Sequence, residues 1–323
     1  MSPLRARLAE RSGGALLMGV LNRTPDSFSD GGAFLDEAAA SRQIARLLAE
    51  GADIVDVGAE STRPGSKAVS AAEQIVRIGG SIRQAVQLGA LVSIDTTSVE
   101  VAEKALADGA SIVNSVSLEP AADLARLAAK RGAALVLMHS RGSMTDMRGF
   151  SVYADDAYGD VVNDVVRELG DAAEKALHAG LPREDLVLDP GLGFAKNARH
   201  SLELTAWLDE ICALGFPVLV GPSRKSFLLA GISGDKPPAE QRLGATIAAC
   251  IACVERGARI VRVHDVAPVK QALDVAARLR AVRQRPFTPR PAGLLDVATR
   301  SNQDQVLSEM KAQLRKRAGG RRD

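Results

Sequence analysis

The chain has 323 residues, 46% of them apolar and 25% charged, the mixture of a globular protein of one large domain or two ordinary ones. Aromatic residues are only 3%, so a core must come from Ala, Val, Leu and Ile, which suits parallel strands buried on both faces. The net charge of +2 is uneven: from Ala281 onward ten Lys/Arg face four Asp/Glu, so the basic character belongs to the tail and the body carries no nucleic-acid signal.

Residues 1–14 form an N-terminal extension. Short β-rich runs of about five residues then recur at 15–21, 53–57, 91–95, 111–116, 134–138, 186–189, 217–220 and 259–263. Helical patterns separate or follow them at 37–50, 71–87, 99–107, 121–130, 156–179, 201–214, 240–256 and 269–282. Several helical runs end in a Gly-Ala pair that leads into the next strand, as at Gly51-Ala52, Gly132-Ala133 and Gly257-Ala258. Glycine ends a helix there without steric cost. Eight βα units within roughly 270 residues match the arithmetic of a (β/α)8 TIM barrel over 15–283. Alternation alone leaves a doubly wound open sheet possible, although no Gly-x-Gly-x-x-Gly turn follows the first strand.

The pattern stops in a third segment, 284–323. Pro286, Pro289 and Pro291 make a stiff linker, and 301–316 reads as a short helical extension with Val306, Met310 and Leu314 on one stripe. Ser301 and Asp304 resemble a capping box, and a basic tail follows.

Cys212, Cys250 and Cys253 are too few for a disulfide framework and point to a reducing compartment. The Cys250/Cys253 spacing suits a redox or metal pair, but both sit in the apolar helical run LGATIAACIACVERGA and are read as core. No apolar run reaches the ~20 residues of a membrane span, and the opening MSPLRARLAERSGG lacks a signal peptide's apolar centre. The expected compartment is the cytoplasm, with neither a membrane nor a nucleic-acid partner.

Chemistry in a barrel of this kind gathers at the C-terminal ends of its strands. Here those ends carry Asn22, Asp56, Asp95, Asn114, His139, Asp189, Ser223-Arg224-Lys225, and Arg262 with His264. Buried polar groups cost several kcal/mol when unpaired, so eight polar strand ends point to a catalytic mouth. Asp95, Asn114 and Asp189 supply acceptors suited to a flat heterocycle rich in N–H donors. Residues 223–226 are expected to open a helix whose N–H groups welcome an anion, and Arg262 and His264 end the last strand near the phosphate position common in barrels. Asn22, next around the ring, completes a site for a diphosphate and Mg2+, an ion that takes oxygen ligands and keeps several waters. The four histidines show no metal-ligand spacing, which argues against zinc.

The segments GVLNRTPDSFSDGG, DIVDVGAESTRPGS, SIDT, LDPGLGF, GPSRKSF and RVHDV resemble, in that order, the motifs of the dihydropteroate synthase family, from about Leu17 to Arg280. The resemblance implies a usually dimeric (β/α)8 barrel. Its reaction joins (7,8-dihydropterin-6-yl)methyl diphosphate to 4-aminobenzoate, giving 7,8-dihydropteroate and diphosphate. Carried over by motif, Asp95, Asp189 and Lys225 form the catalytic set and bind the pterin with Asn114. Asn22 holds the metal, Mg2+. Arg262 and His264 handle the diphosphate, with Thr62 nearby and Arg63 on the same second loop. Ser226 holds the aminobenzoate carboxylate, Phe28 and Asp30 belong to a first-loop lid, and Asp56 supports the mouth from beneath.

The sequence departs from the family pattern at Arg23, where a small apolar residue is usual, at Ala59, at Ser115 and at Leu118-Glu119. Two other readings remain open at this level. One is a barrel of the methyltetrahydrofolate:corrinoid methyltransferase kind, which shares floor Asp and Asn residues but does not need the Ser-Arg-Lys, Arg-x-His and loop signatures. The other is a catalytically silent pterin-binding homologue, supported by the departures alone.

Overall fold

The computed structural model describes residues 1–11, 14–23, 37–60, 69–142 and 153–283, with positions 305 and 308. It contains two compact units, Met1–Ala277 and Arg278–Asp323. In the second, positions 305 and 308 are helical and exposed, and the rest of the expected 301–316 helix lies outside the described residues.

The first unit begins with α1 (Pro3–Glu10), β1 (Leu16–Asn22), α2 (Glu37–Ala49), β2 (Ile54–Gly58), α3 (Ala71–Ile78), α4 (Ser81–Gln87) and β3 (Leu91–Asp95). It continues through α5 (Val99–Ala107), β4 (Ile112–Ser115), α6 (Ala121–Arg131), β5 (Ala134–Met138), α7 (Val161–His178) and β6 (Leu186–Asp189). The last elements are α8 (Ala198–Ala206), α9 (Leu208–Cys212), β7 (Leu219–Val220), α10 (Leu243–Glu255), β8 (Ile260–Val263) and α11 (Val266–Arg283), whose residues from Arg278 on belong to the second unit. The strands run β6-β5-β4-β3-β2-β1-β8-β7, each pair parallel. Leu188 of β6 forms a parallel bridge to Val218, and its N–H donates to the Pro217 carbonyl at 3.0 Å, so the ring closes. Closure removes the open-sheet alternative.

Side chains alternate along a strand, and this alternation builds the site. Leu16, Met18, Ile54, Ile112, Val136, Val187, Leu219 and Ile260 form one buried cluster, the packed interior of the barrel. Two residues beyond Ile54, Ile112, Val187 and Ile260 on the same faces stand Asp56, Asn114, Asp189 and Arg262. The register aligns Asn22 with Gly58, Gly58 with Asp95 and Asp95 with Asn114, which brings these strand ends to one level.

The N-terminal extension carries α1. Ser2 caps α1, Pro3 occupies the first helical turn, and Leu4 and Leu8, four apart, enter the interior cluster and plug its lower end. The Ser2 hydroxyl donates to Asp185 at 2.6 Å, and Arg259 donates to the Leu8 and Arg11 carbonyls at 2.8 and 3.0 Å. The helix expected over 71–87 is two helices, because Gly79 takes φ +50. The run expected over 201–214 is likewise broken at Trp207.

Arg23 is buried, with 1% of its surface exposed. Its N–H donates to the Gly58 carbonyl at 2.7 Å, and its Nε donates to the Arg77 carbonyl in the last turn of α3 at 3.0 Å. A cation there satisfies a helix-end carbonyl and complements the helix dipole. Arg77 in turn donates from Nη1 to the Ala59 carbonyl at 3.2 Å. Arg23 thereby ties the end of β1 to α3 and, through Arg77, to the residue after β2.

Candidate active site

The upper end of the barrel is organised by one guanidinium. Arg262 donates from Nε to Asp56 Oδ2 at 2.7 Å and from Nη2 to Asp95 Oδ2 at 2.8 Å. Asp56 Oδ2 also accepts from Asn114 Nδ2 at 3.3 Å. The second oxygens, Asp56 Oδ1 and Asp95 Oδ1, are buried with no hydrogen-bond partner among the described residues. Burial pushes the Asp95 carboxyl from its ordinary 3.8 up to about 7; Arg262 opposes the shift, while Asp56, Glu60 and Asp189 add to it. Arg262 has five N–H donors and uses two on these carboxylates.

Asp189 ends β6 and accepts the Gly191 N–H at 2.7 Å. Burial raises its pKa, and Lys225 is the strongest of the charges that pull it down again. Lys225 donates to the Leu192 carbonyl at 2.6 Å and stands 4.4 Å from the centre of the Phe194 ring. Burial draws Lys225 down to about 8, with Asp189 opposing. Its placement rests on Arg224, a non-glycine residue at φ +61. That conformation is held by the Arg224 N–H to Thr246 Oγ1 at 3.0 Å and a two-pronged contact with Asp265 at 2.9 and 2.6 Å.

Ser226 begins a 3-10 helix, Ser226–Gly231. The expected helix opening after β7 is therefore a six-residue 3-10 turn, capped by Lys225, and not the start of a long α-helix. His264 follows β8. Its N–H donates to Ser223 Oγ at 3.2 Å, and the same hydroxyl lies 3.0 Å from Nδ1. The hydroxyl thus anchors both the backbone and the ring of His264. Desolvation, then Arg262 and Arg224, lowers the pKa to about 4 although the residue is exposed.

Asn22 is exposed at the end of β1, and Gly58 beside it leaves space bordered by Asn22 Oδ1 and Asp95. Among the described residues no cluster of three or more His, Cys, Asp or Glu side chains can hold a metal, and no helix is long and apolar enough to cross a membrane. Phe28, Asp30, Thr62 and Arg63 lie outside the described residues.

Sequence reasoning left two contributors out of the site, the Leu192 carbonyl and Phe194, and it placed Ser223 at the mouth without its contact to His264. Leu192 and Phe194 are in the LDPGLGF segment, whose run of glycines was the available sign of a shaped turn. Ser223 opens the Ser-Arg-Lys run, and its contact with His264 depends on β7 and β8 being neighbours.

Comparison with known proteins gives this geometry a family. A family model described as pterin binding enzyme matches residues 18–264. A dihydropteroate synthase of Synechocystis is 42% identical over 269 residues, covering 81% of this chain and 89% of that protein. The chain belongs to the dihydropteroate synthase family. A dihydropteroate synthase of Xanthomonas albilineans, solved with 4-aminobenzoic acid, superposes with a TM-score of 0.74 at 38% identity, covering 84% of this chain and 94% of that one. The same organism's dihydropteroate synthase in complex with 7,8-dihydropteroate gives 0.71 at 35% identity, covering 84% and 95%. The fold is thus a TIM barrel of the dihydropteroate synthase type, and the activity is that of a transferase in folate biosynthesis.

Proposed function

We propose that the mouth of the barrel binds the dihydropterin ring of a pterin methyl diphosphate and transfers the pterin methylene to 4-aminobenzoate. The observation that carries this reading is Asp95: one oxygen is held by Arg262, and the other is buried without a partner among the described residues. A flat ring with several N–H donors would satisfy that orphan acceptor, with Asn114, Asp189 and Lys225 completing its polar edge. The two carboxylates give the ring environment that stabilises positive charge as the diphosphate departs.

In the reaction the bond between the methylene carbon and the diphosphate oxygen breaks, and that carbon becomes cationic. The arylamine nitrogen then bonds to it and loses one proton to solvent. Arg262 has three N–H donors beyond its carboxylate contacts among the described residues, and His264 follows it at the same strand end; both are suited to a leaving anion. Asn22 offers an amide oxygen without a surrounding acidic cluster, which fits Mg2+ held mainly by water and substrate phosphates. Bound there, Mg2+ would neutralise developing charge on the diphosphate. Ser226 is the proposed contact for the aminobenzoate carboxylate. Thr62 is the proposed neighbour of the diphosphate, on one loop with Arg63, and Phe28 and Asp30 are proposed to exclude water from the cation. Orientation supplies much of the rate, since the arylamine needs no strong base. The reading extends to a cytoplasmic homodimer.

The test is turnover by the full-length chain with both substrates and Mg2+. Dihydropteroate is expected, and its loss in Lys225→Ala or Asp189→Ala with the fold intact. Pterin binding without product would sink the synthase reading, and near-normal rates in either variant would show that the pocket is misassigned.

A further inference from the structure

Lys196 lies seven residues past Asp189 and is 0% exposed. Its Nζ has three partners: His139 Nδ1 at 2.8 Å, the His139 carbonyl at 3.3 Å and the Phe194 carbonyl at 3.0 Å. The two carbonyls can only accept. His139 Nε2 lies 2.9 Å from Glu168 Oε2, and Glu168 is further bound by Arg141, which donates from Nε to both carboxylate oxygens at 3.2 Å. A carboxylate held by arginine only accepts, so Nε2 carries the imidazole proton and Nδ1 presents a lone pair. Lys196 thus faces three acceptors, the complement of a charged ammonium. Burial draws its pKa down, and the charge of Asp189 opposes this.

The turn this ammonium holds is not self-supporting. Gly191, Gly193 and Ala195 all have positive φ, at +66, +82 and +49, and the last is not glycine. Lys196 fixes the Phe194 carbonyl within that turn, and Tyr158 fixes the Ala195 carbonyl through its hydroxyl at 3.0 Å. The same turn presents the Leu192 carbonyl and the Phe194 ring to Lys225. At the other end, the His139 N–H donates to the Asp189 carbonyl at 2.9 Å.

We infer that Lys196 is a positioning residue for the reaction: an ammonium clamped between the end of β5 and the turn after β6 that sets where Asp189 and Lys225 stand. This rests on the pterin-pocket reading above. Lys196 itself touches no reacting atom.

The experiment is steady-state kinetics of full-length Lys196→Met beside the parent chain, varying each substrate separately. The KM for the pterin diphosphate is expected to rise on the order of tenfold, the size of one lost charge-assisted contact, with the KM for 4-aminobenzoate unchanged. An unchanged pterin KM, or an equal rise in both constants, overturns the inference. Should the variant not fold, nitrogen-15 NMR of the parent chain decides. A neutral His139 protonated at Nε2 between about pH 6 and pH 8 upholds it, and an Nδ1–H tautomer or an imidazolium overturns it. Failure of the pterin-pocket reading is distinguishable, because the parent chain would then make no dihydropteroate.

Discussion

The Nε of Arg262 lies 2.7 Å from Oδ2 of Asp56, a carboxylate with none of its surface exposed. Asp56 therefore supports Arg262 and Asn114 at once, although it was expected only to support the mouth from beneath. Replacing Asp56 with Asn keeps the shape and removes the charge. Breaking one side of a buried ion pair is expensive because the partner stays buried, so Asp56→Asn should lose about 3 kcal/mol in urea unfolding. A loss within the scatter of the parent chain would show that Arg262 is adequately held by Asp95 alone.

Asp95 and Lys225 set the expected pH dependence. Ionised Asp95 gives the ring a negative charge and an oxygen that only accepts, a form reached above about pH 7, while Lys225 keeps its charge below about 8. The profile of kcat/KM for the pterin substrate should therefore be a narrow bell between those limbs, and Asp95→Asn should abolish the acid one. The stability contribution has the opposite sense. Between the ordinary value of 3.8 and about 7 the folded chain retains a proton on Asp95 that the unfolded chain has lost. Stability from this group therefore falls as pH rises through that window. Denaturant titrations of the parent chain and Asp95→Asn across it would show the slope disappear in the variant.

Much of this site was legible because strand alternation is a property of single residues. Ile112 to Asn114, Val187 to Asp189 and Ile260 to Arg262 each place a polar end two positions beyond an interior apolar residue. The pairing of Arg262 with Asp56 and Asp95 was not legible, since 206 and 167 residues separate the partners and only barrel closure brings them together. The N-terminal helix was missed for another reason. Ser2, Pro3, Leu4 and Leu8 spell a cap, a helix start and an i,i+4 apolar pair, but α1 has eight residues, too few to stand out by periodicity. The Gly79-Gly80 break in the 71–87 run was visible as sequence, and the strong periodicity on either side masked it.

Arg23 differs from the small apolar residue the family pattern favours, and its role is mechanical. Its Nε satisfies the carbonyl of Arg77, and its side chain fills a site with 1% exposure. Arg23→Val should leave that carbonyl unpaired and open a cavity, costing about 2 to 4 kcal/mol in equilibrium unfolding. Arg23→Lys should recover less than half of the loss, because an ammonium lacks the planar fork that lets Nε turn toward a helix end. Full recovery by lysine would mean that charge near the α3 terminus, and not this hydrogen bond, is what matters.

Gly191 gives the sharpest test of how Asp189 is held. At φ +66 it occupies the left-handed region, and a Cβ there would run into the His139 carbonyl oxygen. That oxygen also accepts from Lys196, so the backbone cannot retreat without disturbing the buried ammonium. The Gly191 N–H is meanwhile the donor that fixes Asp189 Oδ1. Gly191→Ala must shift the turn, and the shift carries the Asp189 contact with it. The expected outcome is a loss above about 3 kcal/mol in stability together with loss of pterin binding by calorimetry, whereas a free surface glycine would cost about 1 kcal/mol or less. A variant that binds pterin normally would show that Asp189 keeps its orientation without this turn.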